Sequence, residues 1–308
     1  MHKTGTSSLQ GRLSSSASEL LDQTSFCPAA GRPPELPDVH RLLAWSVPPP
    51  LQLRHRPVDD SCWTDVLGEV RALRPRTVLI SSEDFCWIDR EAIERVRAKT
   101  KDFRVRILAY LCNQLGFIQS YYKQEVKTGR TGLPFTRFLR EHVERCNYPA
   151  LLQKWANCFG RDNMHVRPCA KQKNEPGIIE DVMPIMGVNT DTCLGQERTP
   201  DINISPGDDV IEVIRLLSKG RVLAAHVEKR TGLRGLASAF ARLRWPLVWS
   251  VYSNGRLGRL LLPAAGAVMS ERLPSTKDAD WLRDQTKEWN DLLFNSYLDP
   301  RDRAYLDS

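Results

Sequence analysis

Between residues 62 and 73 the apolar side chains fall at Trp63, Val66, Leu67, Val70 and Leu73, the three-to-four spacing of one helix face. The pattern changes at 76–85, RTVLISSEDF, where Val78, Leu79 and Ile80 run without a polar break and then yield to Ser81, Ser82 and Glu83. A short continuous apolar run of this kind predicts a parallel strand covered on both faces, ending at the carboxyl edge of a sheet. Helical spacing returns over 89–100. FRVRILAYL, residues 103–111, is rich in β-branched and aromatic residues and predicts a second strand. FIQSYYKQEVK, 117–127, reads as the helix after it, and NMHVRP, 163–168, as a third strand. Further helical patterns lie at 135–146, 149–158, 208–219 and 279–296. This alternation predicts an α/β protein whose parallel sheet carries helices on both faces. The last hundred residues read as mostly helical, with one hairpin around VYSNGRLGRLLL at 251–262.

One stretch does not fit the alternation. Residues 28–60 contain PAAGRPPELPDVH and VPPPLQLRHRP, and proline at this density predicts a surface excursion rather than a core element. The chain has 308 residues, of which 41% are hydrophobic, enough for one large α/β domain with a real core. Lys and Arg number 44 against 37 Asp and Glu, a formal charge of +7. That excess suits an anionic ligand but is too weak and too evenly spread to argue for nucleic acid. No apolar run reaches the roughly 18 residues of a membrane span. None of the eight cysteines forms a CxxC pair, and no His stands at zinc-ligand spacing, so no metal site is expected. With no secretory signal ahead of them, the cysteines read as reduced thiols of a cytoplasmic protein.

In an open parallel sheet, ligands gather at the carboxyl ends of the strands. Three polar groups stand there or just beyond: the opening HKTGTSS, the Ser81-Ser82-Glu83 strand end, and the segment from Cys112 to Ser120. A glycine loop at a helix start presents backbone N–H groups that suit a phosphate. Lys3 adds a mobile positive charge, and Thr6, Ser7 and Ser8 add hydroxyls and candidate helix caps. The spacing is not that of the GxxxxGK[ST] nucleotide loop.

HKTGTSSLQ resembles the 5′-phosphosulfate loop of sulfotransferases that use 3′-phosphoadenylyl sulfate (PAPS), and more narrowly that of carbohydrate-type bacterial members, whose loop reads close to HKTGTTSLQ. VLISSEDF is similar to their strand ending in Ser-Ser-Glu, and RVRILAYLCNQLGFIQSYYKQ to their strand, turn and helix around the 3′-phosphate. WANCFGRDNMHVRP and NISPGDDVIEVIRLLS resemble later family elements, so the likeness covers most of 1–220. It implies a P-loop-like three-layer α/β sandwich formed by the whole chain, 1–308, with an α/β cofactor-binding core over 1–200 and a mostly helical part over 201–308. It implies in-line transfer of a sulfuryl group from PAPS to a hydroxyl or amine of a glycan or glycolipid, with no metal. On the same basis Lys3 contacts the bridging and leaving oxygens, and His2, Thr4, Gly5, Thr6 and Ser7 belong to the 5′-phosphate loop. Glu83 is the expected general base, with His2, His40 and His165 weaker candidates.

Two features depart from the family pattern. The loop there follows a buried strand, whereas here only Met1 precedes His2, so the first strand of the sheet is expected to be missing or truncated. Either the true start lies upstream or part of the core has been lost. Second, Arg is expected at position 112, eight residues before a Ser that shares the 3′-phosphate with it. Ser120 is present, but Cys112 replaces the Arg. A thiol cannot make the bidentate charged contact of a guanidinium, a loss of roughly 1.5–3 kcal/mol. Lys123, one turn after Ser120, could compensate in part. A member of the family that no longer catalyses and survives as a binding protein is the first competing reading. A P-loop kinase using ATP is the second.

Overall fold

The computed structural model describes residues 6–47, 59–169, 178–189, 208, 210–216, 218–219, 231 and 274–306. The chain divides into two compact units. The first comprises Met1–Asn113, Asn147–Ile202 and Trp289–Ser308, and the second Gln114–Cys146 and Asn203–Glu288.

The first unit opens with helices α1 (Thr6–Ser15) and α2 (Ala17–Asp22), followed by strand β1 (Ser25–Phe26) and helix α3 (Arg41–Ser46). Helix α4 (Ser61–Leu73) buries Cys62, Trp63, Val66 and Val70, the face its spacing predicts. Leu73, the last residue of that series, is 44% exposed, because the chain turns at Arg74 with a positive φ of 48°. Strand β2 (Thr77–Val78) ends in a 3-10 turn over Glu83–Trp87, and helix α5 (Arg90–Lys99) follows, capped by Asp89 accepting from Ala92 N at 2.8 Å. Strand β3 (Ile107–Leu111) occupies the second half of the predicted 103–111 run. In the second unit lie α6 (Gln114–Thr128) and α7 (Phe135–His142). Back in the first unit come α8 (Tyr148–Phe159), strand β4 (Met164–Pro168) and α9 (Ile178–Met186). A long helix α10 (Thr276–Ser296) begins in the second unit and ends in the first. The described residues within 208–219 are helical, as expected, whereas the hairpin expected at 251–262 lies outside the described residues.

Among the described residues the strands form two parallel pairs. β1 pairs with β2, Ser25 opposite Thr77, and β3 pairs with β4, Ile107 opposite Met164 through Leu111 opposite Pro168. Their side chains alternate between two layers, as strand geometry requires. On one face Phe26, Val78, Ile80, Ile107 and Met164 pack against α4, α5 and α8 through Trp63, Ile93 and Trp155. On the other face Leu79, Leu108 and Tyr110 pack against α1, α2 and α9 through Leu13, Leu20 and Met183. The end of β3, Leu111, lies among Tyr148, Leu152, Leu293 and Phe294. Among the described residues the expected mixture of helices and parallel strands is observed, with the strands in two pairs.

The 28–60 stretch needs correction. Among its described residues His40, Leu43, Ala44 and Val47 are buried. The proline-rich segment folds back because Gly31, at a φ of 79°, lets Leu42 N donate to its carbonyl at 3.1 Å, with Leu43 directly beneath. Leu43 and Val47 supply the apolar side that joins the core of α4.

Candidate functional site

Helix α1 starts at Thr6, so Thr6, Ser7 and Ser8 are its first residues rather than its cap. His2, Lys3, Thr4 and Gly5 lie outside the described residues. The inner face of α1 carries Leu9 and Gln10, both buried. Gln10 Nε2 donates to Ser81 Oγ at 2.9 Å. Gln10 stands about one turn, roughly 6 Å, from the helix start. This bond ties the helix after the HKTG segment to Ser81, three residues beyond β2 and two before Glu83.

Ser81 is also held by His40. The His40 N–H donates to Ser81 O at 2.9 Å, and its ring Nδ1 accepts from Ser81 N at 3.1 Å. That bond makes Nε2 the protonated nitrogen, and Nε2 lies 2.9 Å from Pro28 O, to which it donates. His40 is 0% exposed, and burial followed by the nearby Arg32 charge pushes its pKa down to about 4. A neutral, doubly bonded imidazole is a structural strut. This removes His40 from the candidates for general base.

Glu83 begins the 3-10 turn, with Ser82 Oγ accepting from Asp84 N at 3.3 Å. Arg41, the first residue of α3, reaches both acids. Its Nη2 lies 3.2 Å from Glu83 Oε1 and its Nε 2.6 Å from the buried Asp84 Oδ2. One guanidinium thus serves two carboxylates, a net charge of −1 for the trio. No local spacing in the sequence pointed to Arg41 or Asp84, because their meeting depends on the fold-back at Gly31.

Cys112 follows β3, and Cys169 follows β4, in register. Cys169 N donates to Leu111 O at 2.6 Å, and the two thiols are hydrogen-bonded to one another. That bond, and then burial, holds the Cys112 thiol far above its ordinary value, so it stays neutral. All seven described cysteines are free thiols, and Cys193 lies outside the described residues.

In the second unit Ser120 is half-buried on α6. Lys123 is paired with Asp208 at 2.7 Å, so the cation expected to stand in for the missing Arg is engaged within its own unit. His165 lies on β4, its pKa lowered by partial burial and by Arg106 and Arg167. Among the described residues no group of three or more His, Cys, Asp or Glu is placed to hold a metal, and no helix is long and apolar enough to cross a membrane.

No family model matches the chain, and no curated protein matches it. Among solved structures it is similar to the crystal structure of a sulfotransferase from Alicyclobacillus acidocaldarius, at 18% identity and a TM-score of 0.40, over 74% of this chain and 94% of that one.

Proposed function

We propose that this chain is a sulfotransferase-like protein that binds PAPS and transfers its sulfuryl group to a hydroxyl or amine of a carbohydrate-type acceptor, a glycan or glycolipid. The resemblance of HKTGTSSLQ, VLISSEDF and RVRILAYLCNQ to family segments motivates the reading. The observation that carries it is the Gln10–Ser81 bond, which brings the helix after the first of these segments to the strand end of the second.

In the proposed reaction the acceptor oxygen or nitrogen attacks sulfur as the bond from sulfur to the bridging oxygen breaks. The electron pair leaves on the 5′-phosphate of adenosine 3′,5′-bisphosphate. Lys3 and the backbone N–H groups of Thr4, Gly5, Thr6 and Ser7 neutralise that developing charge, as helix starts do for anions. Glu83 takes the acceptor proton, and Arg41 holds its carboxylate in place. The positive field comes from Lys3 and the helix start, so no metal is invoked. Free thiols suit a reducing compartment such as the cytoplasm.

Cys112 favours a second reading, a protein of this class that binds without catalysing, since a neutral thiol stands where the family resemblance expects an Arg for the 3′-phosphate. The kinase reading lacks the Walker spacing and gains no support from the strand ends. The deciding experiment is thermal unfolding with PAPS, adenosine 3′,5′-bisphosphate or ATP, followed by a turnover assay. Protection by the first two, lost in Lys3→Ala together with turnover, is the expected result. Protection without turnover selects the binding reading, protection by ATP alone selects the kinase, and an active Lys3→Ala protein overturns the loop assignment.

A further inference from the structure

The two turns that lead into β2 and β3 hold the basic excess of the chain. Residues 71–76, RALRPR, and 95–106, RVRAKTKDFRVR, contain nine Lys or Arg against one acid, Asp102. Their net +8 exceeds the +7 of all 308 residues, so the excess is gathered in these segments rather than spread evenly. The fold sets the two segments at one end of the strands. Helices α4 and α5 pack on the same face, with Trp63, Val66, Val70, Ile93 and Val96 in a single core cluster. Helix α5 carries the chain back after β2, so β3 starts from the same end as β2. Pro75 and Arg76 accordingly line one cavity of about 660 Å³ together with Phe103, Arg104 and Arg106.

Two large apolar side chains stand uncovered among these cations. Leu73 is 44% exposed and Phe103 43%, and each directly precedes an arginine, Arg74 and Arg104. Leu73 ends the apolar series of α4 where Arg74 takes its positive φ. Phe103 sits at a turn closed by its N–H donating to Thr100 O at 3.0 Å. The cations are uncovered too. Arg71, Arg74, Arg76, Lys101 and Arg104 are exposed. Among the described residues no acid pairs with them, whereas Lys99 is held by Asp60 and Arg106 donates to Ile185 O at 3.0 Å.

We infer that this edge is a docking face for an anionic lipid bilayer, with the arginines on lipid phosphates and Leu73 and Phe103 inserted at the acyl boundary. Charge complementarity selects an anionic partner, since clustered Lys and Arg are drawn to a negative leaflet surface. A guanidinium adds a bidentate grip on phosphate. The apolar pair selects a bilayer over a nucleic acid. A phosphodiester backbone offers no apolar layer to receive a leucine, whereas hydrocarbon begins just below lipid headgroups. The face lies at the amino ends of β2 and β3, while Ser81 and Glu83 follow β2 at its other end. The inference uses no residue of the candidate site and stands whether or not the chain binds PAPS.

The test is co-sedimentation of the full chain with vesicles of phosphatidylcholine alone or mixed with phosphatidylglycerol. Binding to the mixed vesicles is expected to weaken with added salt and to exceed binding to phosphatidylcholine at least about tenfold. Arg74→Glu with Arg104→Glu should weaken it at least about tenfold. Leu73→Ser with Phe103→Ser leaves the charge unchanged and should weaken it at least about fivefold. Arg137→Glu with Arg283→Glu makes the same charge change at exposed positions of the second unit and should matter far less. All these positions are exposed, so circular dichroism should report unaltered folds. A chain that stays in the supernatant, or an equal loss in the second-unit control, overturns the docking face. Vesicle binding unchanged in the serine variant overturns the bilayer assignment. If a single-stranded oligonucleotide then binds in fluorescence anisotropy and is released in the Arg74→Glu, Arg104→Glu variant, the partner is a nucleic acid.

Discussion

Cys112 and Cys169 share a hydrogen bond across the carboxyl ends of two adjacent parallel strands. The contact explains how a thiol is accommodated where the family resemblance expects a guanidinium. The bond to Cys169, and then burial, hold the Cys112 thiol neutral. Replacing Cys112 with Arg should break this pair and put a cation at the strand end. Adenosine 3′,5′-bisphosphate should then bind at least about tenfold more tightly, the scale of one charge-assisted phosphate contact. Titration calorimetry on the variant and the parent checks it. An analogue lacking the 3′-phosphate should gain little, and added salt should shrink the difference. Equal gains for both ligands would place residue 112 away from the 3′-phosphate.

Glu83→Gln preserves the shape of the side chain and removes its ability to take a proton. In an active protein, turnover should drop by about 10²- to 10⁴-fold, the range of a lost general base. Protection by adenosine 3′,5′-bisphosphate in thermal unfolding should be unchanged. A variant that turns over normally would move the proton acceptor elsewhere.

His40 makes stability depend on pH. Its folded pKa is lowered to about 4 from an ordinary 6.5, so the unfolded chain binds the proton first. The contribution is complete above about pH 6.5 and is lost as pH falls toward 4, by about 3 kcal/mol over that window. Urea unfolding at pH 7 and pH 4.5 measures this. His40→Asn retains an acceptor for Ser81 N and cannot be protonated. It should be less stable than the parent at pH 7, through loss of the bond to Pro28 O, yet nearly flat across the window where the parent declines.

Gly31 and Gly187 both have positive φ, 79° and 76°, but differ in their surroundings. A Cβ on Gly31 would stand 2.7 Å from Leu43 Cγ, whereas at Gly187 nothing lies within 4 Å. Alanine at 187 should cost the backbone strain alone, about 1–2 kcal/mol. Alanine at 31 should cost a further 1–3 kcal/mol or so for overpacking against Leu43. Equal losses in denaturant unfolding would show that Leu43 moves aside freely.

Much of the helix and strand order was legible in the chain because it rests on local periodicity. The Trp63–Val66–Val70 stripe marked α4, the unbroken Val78–Ile80 run marked the β2 segment, and the branched and aromatic residues from Ile107 marked β3. β1 could not be read, since Ser25 and Phe26 are a strand only by virtue of pairing with Thr77 and Val78. The candidate site divided in the same way. Glu83 and Cys112 were visible as polar residues after apolar runs, and the resemblance gave them roles.

Their partners came from residues distant in sequence: Arg41 at 42 positions from Glu83, Gln10 at 71 from Ser81, and Cys169 on the neighbouring strand from Cys112. Local pattern alone determined which segments could be helix or strand. Tertiary structure decided that the imidazole of His40 is a neutral strut, that Lys123 is held by Asp208, and that β2 and β3 face a cavity. The reason is physical. Periodicity reports which face of an element is apolar, whereas charge pairing, burial of a titratable ring and the spacing of strand edges depend on which elements meet.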